Sequence, residues 1–62
     1  MKNYKNISIN ELNTIINALQ IVKRIAMGHY EDNHDFFTVF YHNAEELQNE
    51  CAGCIINKQK EA

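Results

Sequence analysis

Two thiols spaced three residues apart are the first residues in this 62-residue chain whose types and spacing could do chemistry. Cys51-Ala52-Gly53-Cys54 offers two ligands of the kind that zinc prefers, and a zinc site needs four. The chain has three histidines that could supply the others, His29, His34 and His42. The pair therefore has three interpretations: a metal site, a redox motif, or two small apolar side chains in a helix interface.

The position of the pair argues against the first two interpretations. A CxxC redox motif stands at the start of a helix beside a βαβ unit, and no such unit appears around Cys51. In an antiparallel pair of helices, His29 and His34 would lie about 25–30 Å from Cys51, and His42 would lie more than two turns away. We therefore predict packed cysteines, no metal and no cofactor, with a zinc site shared between subunits as the alternative.

No other residues form a convincing catalytic group. The acidic pairs Glu31-Asp32 and Glu45-Glu46 could serve as acid and base, but adjacent residues point in different directions on a helix. The histidines have no nucleophile beside them, and no glycine-rich phosphate loop occurs. The sequence predicts that the protein is not an enzyme.

Charge and hydropathy exclude further classes of partner. The net charge is −2, and the few basic residues are scattered, so we predict no nucleic-acid binding and no binding to acidic membranes. The basic first residues are not followed by a long apolar stretch, which predicts neither a signal peptide nor a membrane span. We therefore expect a cytoplasmic protein with reduced thiols.

Length and composition predict one small all-α domain over residues 1–62. The chain contains no proline and only two glycines, which favours long helices over a turn-rich β fold. A domain this small buries little apolar surface on its own, and it commonly needs a metal, a disulfide or a partner chain.

The start of the first helix is marked by four residues that agree with one another. Ser8 and Glu11 have the spacing of a capping box, and Ile7 and Leu12 occupy the positions of a hydrophobic staple. We predict a helix over residues 9–27, ended by Gly28 in the left-handed conformation.

A second helix is predicted over residues 33–57, after a polar linker at 28–33 in which Asp32 or Asn33 is the N-cap. Residues beyond 57 are expected to fray into solvent. The stretch 36–41 is aromatic and β-branched, however, and Asn43 with Glu46 resembles a fresh helix start. The alternative is therefore a break near His42 that gives three helices.

Apolar residues recur at spacings of three and four along both helices, as in a helical bundle. On the first helix, apolar positions cover roughly 240° of the circumference, whereas one neighbouring helix needs about 100°. We therefore predict an antiparallel helical hairpin that assembles into a four-helix-bundle homodimer. The first seam is Leu12, Ile15, Leu19, Val22 and Ala26; the second seam is Phe37, Phe40, Ala44, Leu47, Cys51 and Cys54.

Five of the six aromatic residues fall within positions 30–41, and aromatic residues favour interfaces. We expect Phe37 and Phe40 in the core, and Phe36 and Tyr41 facing a partner. An alternative is a pocket for a small molecule or nucleotide at the oligomer interface, lined by Tyr30, His34, Tyr41 and His42. The predicted interface residues are Ile21, Ile25, Tyr30, Phe36, Phe37, Phe40 and Tyr41.

The segment from Ser8 to Leu19, SINELNTIINAL, resembles the opening of short helical-hairpin proteins of Gram-positive bacteria and their phages. The shared form is a capped S-x-x-E-L-x-x-I-x-x-A-L helix, a short linker and a second amphipathic helix. The resemblance implies a non-catalytic module that binds a host or phage protein, in some cases as an inhibitor of host defence. Together with the predicted self-association, it gives the expected function: a small phage or prophage protein that inhibits or modulates a host protein.

Overall fold

The structure, a computed structural model, describes residues 6–61 and consists of two α-helices joined by a tight turn. Helix α1 spans Ile9–Gly28 and helix α2 spans His34–Glu61, with a 3-10 turn at Tyr30–Asp32 between them. The helices pack side by side and antiparallel into a rod of 45 × 17 × 15 Å. The predicted all-α helical hairpin is confirmed, and the described residues contain no strand.

The predicted capping box starts α1. The Ser8 hydroxyl accepts a hydrogen bond from the Glu11 amide at 3.0 Å, and the Glu11 carboxylate accepts one from the Ser8 amide at 2.9 Å. Hydrogen bonds from the Ser8 amide and then from the Ser8 side chain lower the pKa of the Glu11 carboxyl below its ordinary 4.5. Ile7 packs against the cluster that contains Leu12, as the staple predicts.

The end of α1 differs from the prediction that Gly28 adopts the left-handed conformation. Gly28 is the last helical residue, and neither glycine has a positive φ angle. His29 caps the helix with φ −112°, and its amide donates to the Ile25 carbonyl at 3.1 Å. The chain reverses instead through the 3-10 turn, in which the Asp32 amide donates to the His29 carbonyl at 2.9 Å.

Helix α2 is continuous, so the alternative with a break near His42 is wrong. Asn33 caps its start, where the side-chain oxygen accepts from the Phe36 amide at 3.1 Å. The helix runs to Glu61, four residues beyond the predicted end. The expected fraying is therefore wrong for residues 58–61. This last turn contains good helix formers without glycine or proline, and Lys58 and Lys60 complement the helix dipole. Ala62 lies outside the described residues.

The interface between the helices confirms the first seam and rotates the second. Leu12 and Ala26 are buried and the other three residues of the first seam are half-buried. On α2, Phe40 and Leu47 remain 38% and 42% exposed. Phe37 of this seam is half-buried, and so are three positions outside the seam on the α1 side, Tyr41, Gln48 and Ile55.

Candidate functional site

A hydrogen-bonded glutamine fixes how α2 lies against α1. The Gln48 side-chain NH₂ donates to the Ile16 carbonyl at 3.0 Å and to the Gln20 side-chain oxygen at 3.2 Å. Its own oxygen accepts from Lys23 Nζ at 3.0 Å, and that ammonium lies 4.9 Å from the centre of the Tyr41 ring. These bonds hold one register and one rotation of the two helices, because a rotated α2 would lose all three.

This role of Gln48 was not predicted from the sequence. The available signal was a second 3–4 spacing on α2, through Tyr41, Ala44, Gln48 and Cys51, in which a polar residue occupies an inward position. A glutamine there needs partners on the facing helix, because a half-buried amide without hydrogen bonds is costly.

Beside this network, at the linker end, lies an open groove of about 300 Å³. Tyr30, one of its walls, stacks on His34 with ring centroids 4.5 Å apart. The groove includes three of the four residues predicted for a small-molecule pocket, and it forms within a single chain. The lining residues are Ala26, Met27, Tyr30, Phe37, Thr38, Tyr41 and His42.

Helical geometry assigns a second group of apolar residues to the opposite side of the hairpin. At about 100° per residue, Ala18, Val22 and Ile25 lie roughly 80–140° to one side of Leu12, which points at α2. Gln20 and Met27, which share contacts with α2 in the glutamine network and the groove, lie about 60–80° to the other side.

The same rotation on α2 completes this assignment. Phe36, Phe40 and Leu47 lie roughly 80–120° to one side of Gln48, and Thr38, which lines the groove, lies about 80° to the other side. In antiparallel right-handed helices, the two apolar sets therefore emerge on one shared side. We call the side with the groove the groove face. We call the opposite side the apolar face; its residues are Ala18, Ile21, Val22, Ile25, Phe36, Phe40 and Leu47.

The apolar face is large for a hairpin of this size. Its exposed fractions are 57% for Ile21, 50% for Ile25 and 54% for Phe36, in addition to the values for Phe40 and Leu47. The largest apolar patch on a soluble monomer is commonly about 300–600 Å² and often functional, a range that five such side chains reach. Ile21, about 180° from Leu12, points away from α2 and is the most peripheral residue of this face.

The seven predicted interface residues are divided between the two faces. Ile21, Ile25, Phe36 and Phe40 lie on the apolar face, whereas Tyr30 and Tyr41 line the groove. Phe37 is half-buried between the faces, 4.9 Å from the Phe36 ring and 6.1 Å from the Phe40 ring.

Two residues of this set have the opposite environments from those predicted. Phe40, expected in the core, is exposed; Tyr41, expected to face outward, is half-buried beneath Lys23. The hydrogen bonds of Gln48 explain both, because they turn Tyr41 toward α1 and Phe40 away from it. Ala18, Val22 and Leu47 belong to the apolar face although the sequence analysis did not place them in the binding surface.

The two cysteines pack as apolar side chains at the opposite end of the hairpin from the linker. Both are free and buried against Leu12, with Ile7, Ile15, Ile16 and Ile55 around them. Burial raises the pKa of the Cys51 thiol above its ordinary 9.0, and the neighbouring Cys54 and Glu50 add to the effect. In the described part of the chain, no group of three or more His, Cys, Asp and Glu side chains could hold a metal ion.

No protein-family model, curated protein or solved structure matches this chain. Within residues 6–61, neither helix combines the length and the apolar character that crossing a membrane requires. A function is therefore inferred from the two faces of the hairpin.

Proposed function

We propose that this hairpin is a non-catalytic protein-binding module, that the apolar face is its binding surface, and that a second copy is its first partner. The observation that carries the proposal is the incomplete cover of the second seam. Ala44, Cys51 and Cys54 are buried, whereas Phe40 and Leu47, in the same 3–4 spacing, are exposed. Phe40 and Leu47, in the half nearer the linker, are therefore the part of this seam that α1 leaves to solvent.

The geometry of a four-helix bundle accounts for the uncovered part of the seam. In such a bundle each helix directs its apolar stripe at the bundle axis, which lies between its hairpin neighbour and the facing hairpin. The second seam is turned toward the apolar face by this kind of rotation, and Val22 and Ala18 extend the first seam in the same direction. Both helices thus carry the pattern of a bundle of which the single chain supplies half.

The shape of the single chain gives independent support. Its accessible surface is 4766 Å², whereas a compact monomer of this mass exposes about 4,100 Å². Its radius of gyration is 13.5 Å, against about 11 Å for a compact domain of this length. Pairing two hairpins along the apolar face would bury apolar surface that the single chain exposes. At about 25 cal/mol per Å² of apolar surface, this burial favours association.

The test is the mass of the protein in solution across a range of concentrations, by sedimentation equilibrium. We expect a dimer that Phe40→Glu converts to a monomer. Ile56→Glu is the matched control, because Ile56 is 52% exposed but lies about 80° from Gln48 on the groove-face side of α2. A monomer at all concentrations, or equal dissociation by both variants, would contradict the proposal.

The second part of the proposal concerns a partner in the cell. The resemblance of Ser8–Leu19 to hairpin proteins of Gram-positive bacteria and their phages supports a host or phage protein, bound in the cytoplasm and inhibited or modulated by the hairpin. Capture from a host lysate tests this, with immobilised wild type, Phe40→Glu and Ile56→Glu compared in parallel. A protein retained by wild type and Ile56→Glu but lost with Phe40→Glu supports the apolar face; equal capture by all three counts against it.

The groove supports a second candidate function, the binding of a flat small molecule such as a nucleotide base. Its volume is at the lower end for ligand pockets, and the rings of Tyr30, Tyr41 and His42 offer stacking surfaces. Thermal unfolding with a panel of nucleosides tests it, since a ligand that binds the folded state raises the melting temperature. Thr38→Trp, which fills the groove, should abolish that shift without changing the mass of the protein.

A further inference from the structure

The apolar residues are unevenly distributed along the apolar face. Phe36 lies in the first turn of α2, and Leu47 lies 13 residues from the start of that helix at His34, about 20 Å along it. The rod is 45 Å long, so these residues occupy the half nearer the linker. In the other half, this side of the hairpin carries charged residues instead, Glu11 about 100° from Leu12 on α1 and Lys58 about 80° from Gln48 on α2.

This asymmetry distinguishes two ways of pairing the face with a second copy. Two hairpins placed face to face are related by a two-fold axis that runs either along the rod or across it. An axis across the rod puts the linkers at opposite ends, so that full overlap sets the apolar half on the charged half. Sliding the copies until the apolar halves meet leaves about half of the face uncovered. An axis along the rod sets apolar half on apolar half and charged half on charged half, and it covers the full length.

The available area favours full cover. A long face of 45 × 17 Å has a projected area of roughly 770 Å², close to the about 800 Å² that each partner buries in a standard specific interface. A slid pair would bury about half of this, which is the size of a weak or crystal-type contact.

We propose that two copies pair along the apolar face with both linkers at the same end, an inference that rests on the proposed function. Each α1 then lies against the α2 of the partner, and all neighbouring helices are antiparallel. Apolar side chains meet at equal heights. Val22 lies six residues before the end of α1 and Phe40 six residues after the start of α2, so both lie about 9 Å from the linker. Phe40 therefore packs against the partner's Val22, and Phe36 against the partner's Ile25.

Distances between spin labels at the two ends of the rod test this orientation. The labels are placed at Glu31→Cys in the linker turn and, in a separate variant, at Lys60→Cys near the end of α2; both positions are exposed. Cys51 and Cys54 are buried, so brief labelling at neutral pH selects the introduced thiol, and wild type labelled in parallel reports any reaction of the native pair.

We expect a short distance between protomers at both positions, within roughly two helix spacings or 20 Å. A pair crossed with full overlap would instead give long distances at both, approaching the 45 Å length of the rod. A slid pair would give a long distance at Lys60→Cys alone. Either result overturns this orientation but leaves the apolar face as the dimer interface. A monomeric mass with no dipolar signal overturns the orientation and the homodimer together.

Discussion

The two faces of this hairpin are held by different interactions. On the groove face, Gln48 bonds to Ile16, Gln20 and Lys23, and Lys23 covers the ring of Tyr41. The apolar face instead presents five large aliphatic and aromatic side chains that are 38–57% exposed. Hydrogen bonds are directional and fix one rotation of α2, whereas apolar packing is non-directional and proportional to the buried area.

This difference indicates a division of labour. The hydrogen bonds of Gln48 close the hairpin within one chain, and the apolar face remains available to a second chain. A face-specific substitution should therefore change either the stability of the hairpin or its association, and the five predictions are ordered by the size of the expected effect.

The largest effect is expected from a charge at the centre of the apolar face. Phe40→Glu or Leu47→Glu should weaken the dimer at least about 100-fold, or about 3 kcal/mol, because a carboxylate would be buried without a partner in each protomer. Ile25→Glu should have a smaller effect, and Ile21→Glu, at the outer edge of the face, the smallest of the series. Sedimentation equilibrium measures the dissociation constants.

Circular dichroism of these variants is the control for folding, because all four side chains are exposed in the single hairpin. A ranking in which Ile21→Glu exceeds Phe40→Glu would show that the interface is centred elsewhere.

On the groove face, Gln48→Ala should destabilise the hairpin itself by about 1–3 kcal/mol, since the hydrogen bonds to Ile16 and Lys23 are lost. Asn49→Ala, at the adjacent exposed position, is the matched control. Urea unfolding should be measured in the Phe40→Glu background, because dimerisation otherwise adds to the apparent stability. Equal stability of the two variants would mean that the glutamine network does not set the fold.

Removing the N-terminal cap should lower the stability of the hairpin but leave its dimerisation unchanged. Ser8→Ala should cost about 1 kcal/mol in unfolding free energy, and Ser8→Asp should retain most of it. The dissociation constant of the dimer should not change once the lower folding stability is taken into account. If Ser8→Ala instead dissociates the dimer strongly, the interface extends to this end of the rod.

Because of the same cap, we expect the stability of the hairpin to fall at acid pH. The folded-state pKa of the Glu11 carboxyl is lowered. Its contribution to the free energy of unfolding is therefore fully present above the ordinary pKa of 4.5 and is lost as the pH falls through the lowered value. Glu11→Gln keeps an oxygen that can accept from the Ser8 amide but does not titrate, so this part of the acid dependence should disappear in urea unfolding at low pH.

The smallest effect is expected from Cys51. Its folded-state pKa is raised, so folding stability is unaffected by this thiol below the ordinary value of 9.0 and declines as the pH rises from there through the raised value. The free energy of unfolding should be measured for wild type and Cys51→Ala, at neutral pH and above pH 9.0. The difference between the two proteins separates the pH dependence due to this thiol from the titration of lysines and tyrosines. Identical slopes in the two proteins would show that the thiol is not buried in solution.

Local features were predictable because their signals are contained in a few adjacent residues. The capping box needs only Ser8 and Glu11, and Asn33 is one of two residues expected to cap α2. The end of α1 was predicted less well, because a glycine at the expected position permits a left-handed cap but does not require one. A 3-10 turn with a hydrogen bond from Asp32 to His29 reverses the chain equally well.

The candidate binding surface was predictable only in part. The excess of apolar residues on α1 indicated an uncovered face, and Ile21, Ile25 and Phe36 are exposed as that argument requires. Leu47 and the exchange of Phe40 with Tyr41 were not predictable, since periodicity shows which residues share a stripe but not which edge of it a neighbouring helix covers.

The sequence by itself determined that the chain is helical, where the first helix begins, and that the apolar residues recur every three and four residues. These properties follow from backbone hydrogen bonding and helical periodicity, which act over a few residues. The tertiary structure alone decided the rotation of α2, and with it the division into a groove face and an apolar face. That rotation depends on Gln48 meeting Ile16, Gln20 and Lys23 across 25 to 32 residues of chain, contacts that exist only once the two helices lie together.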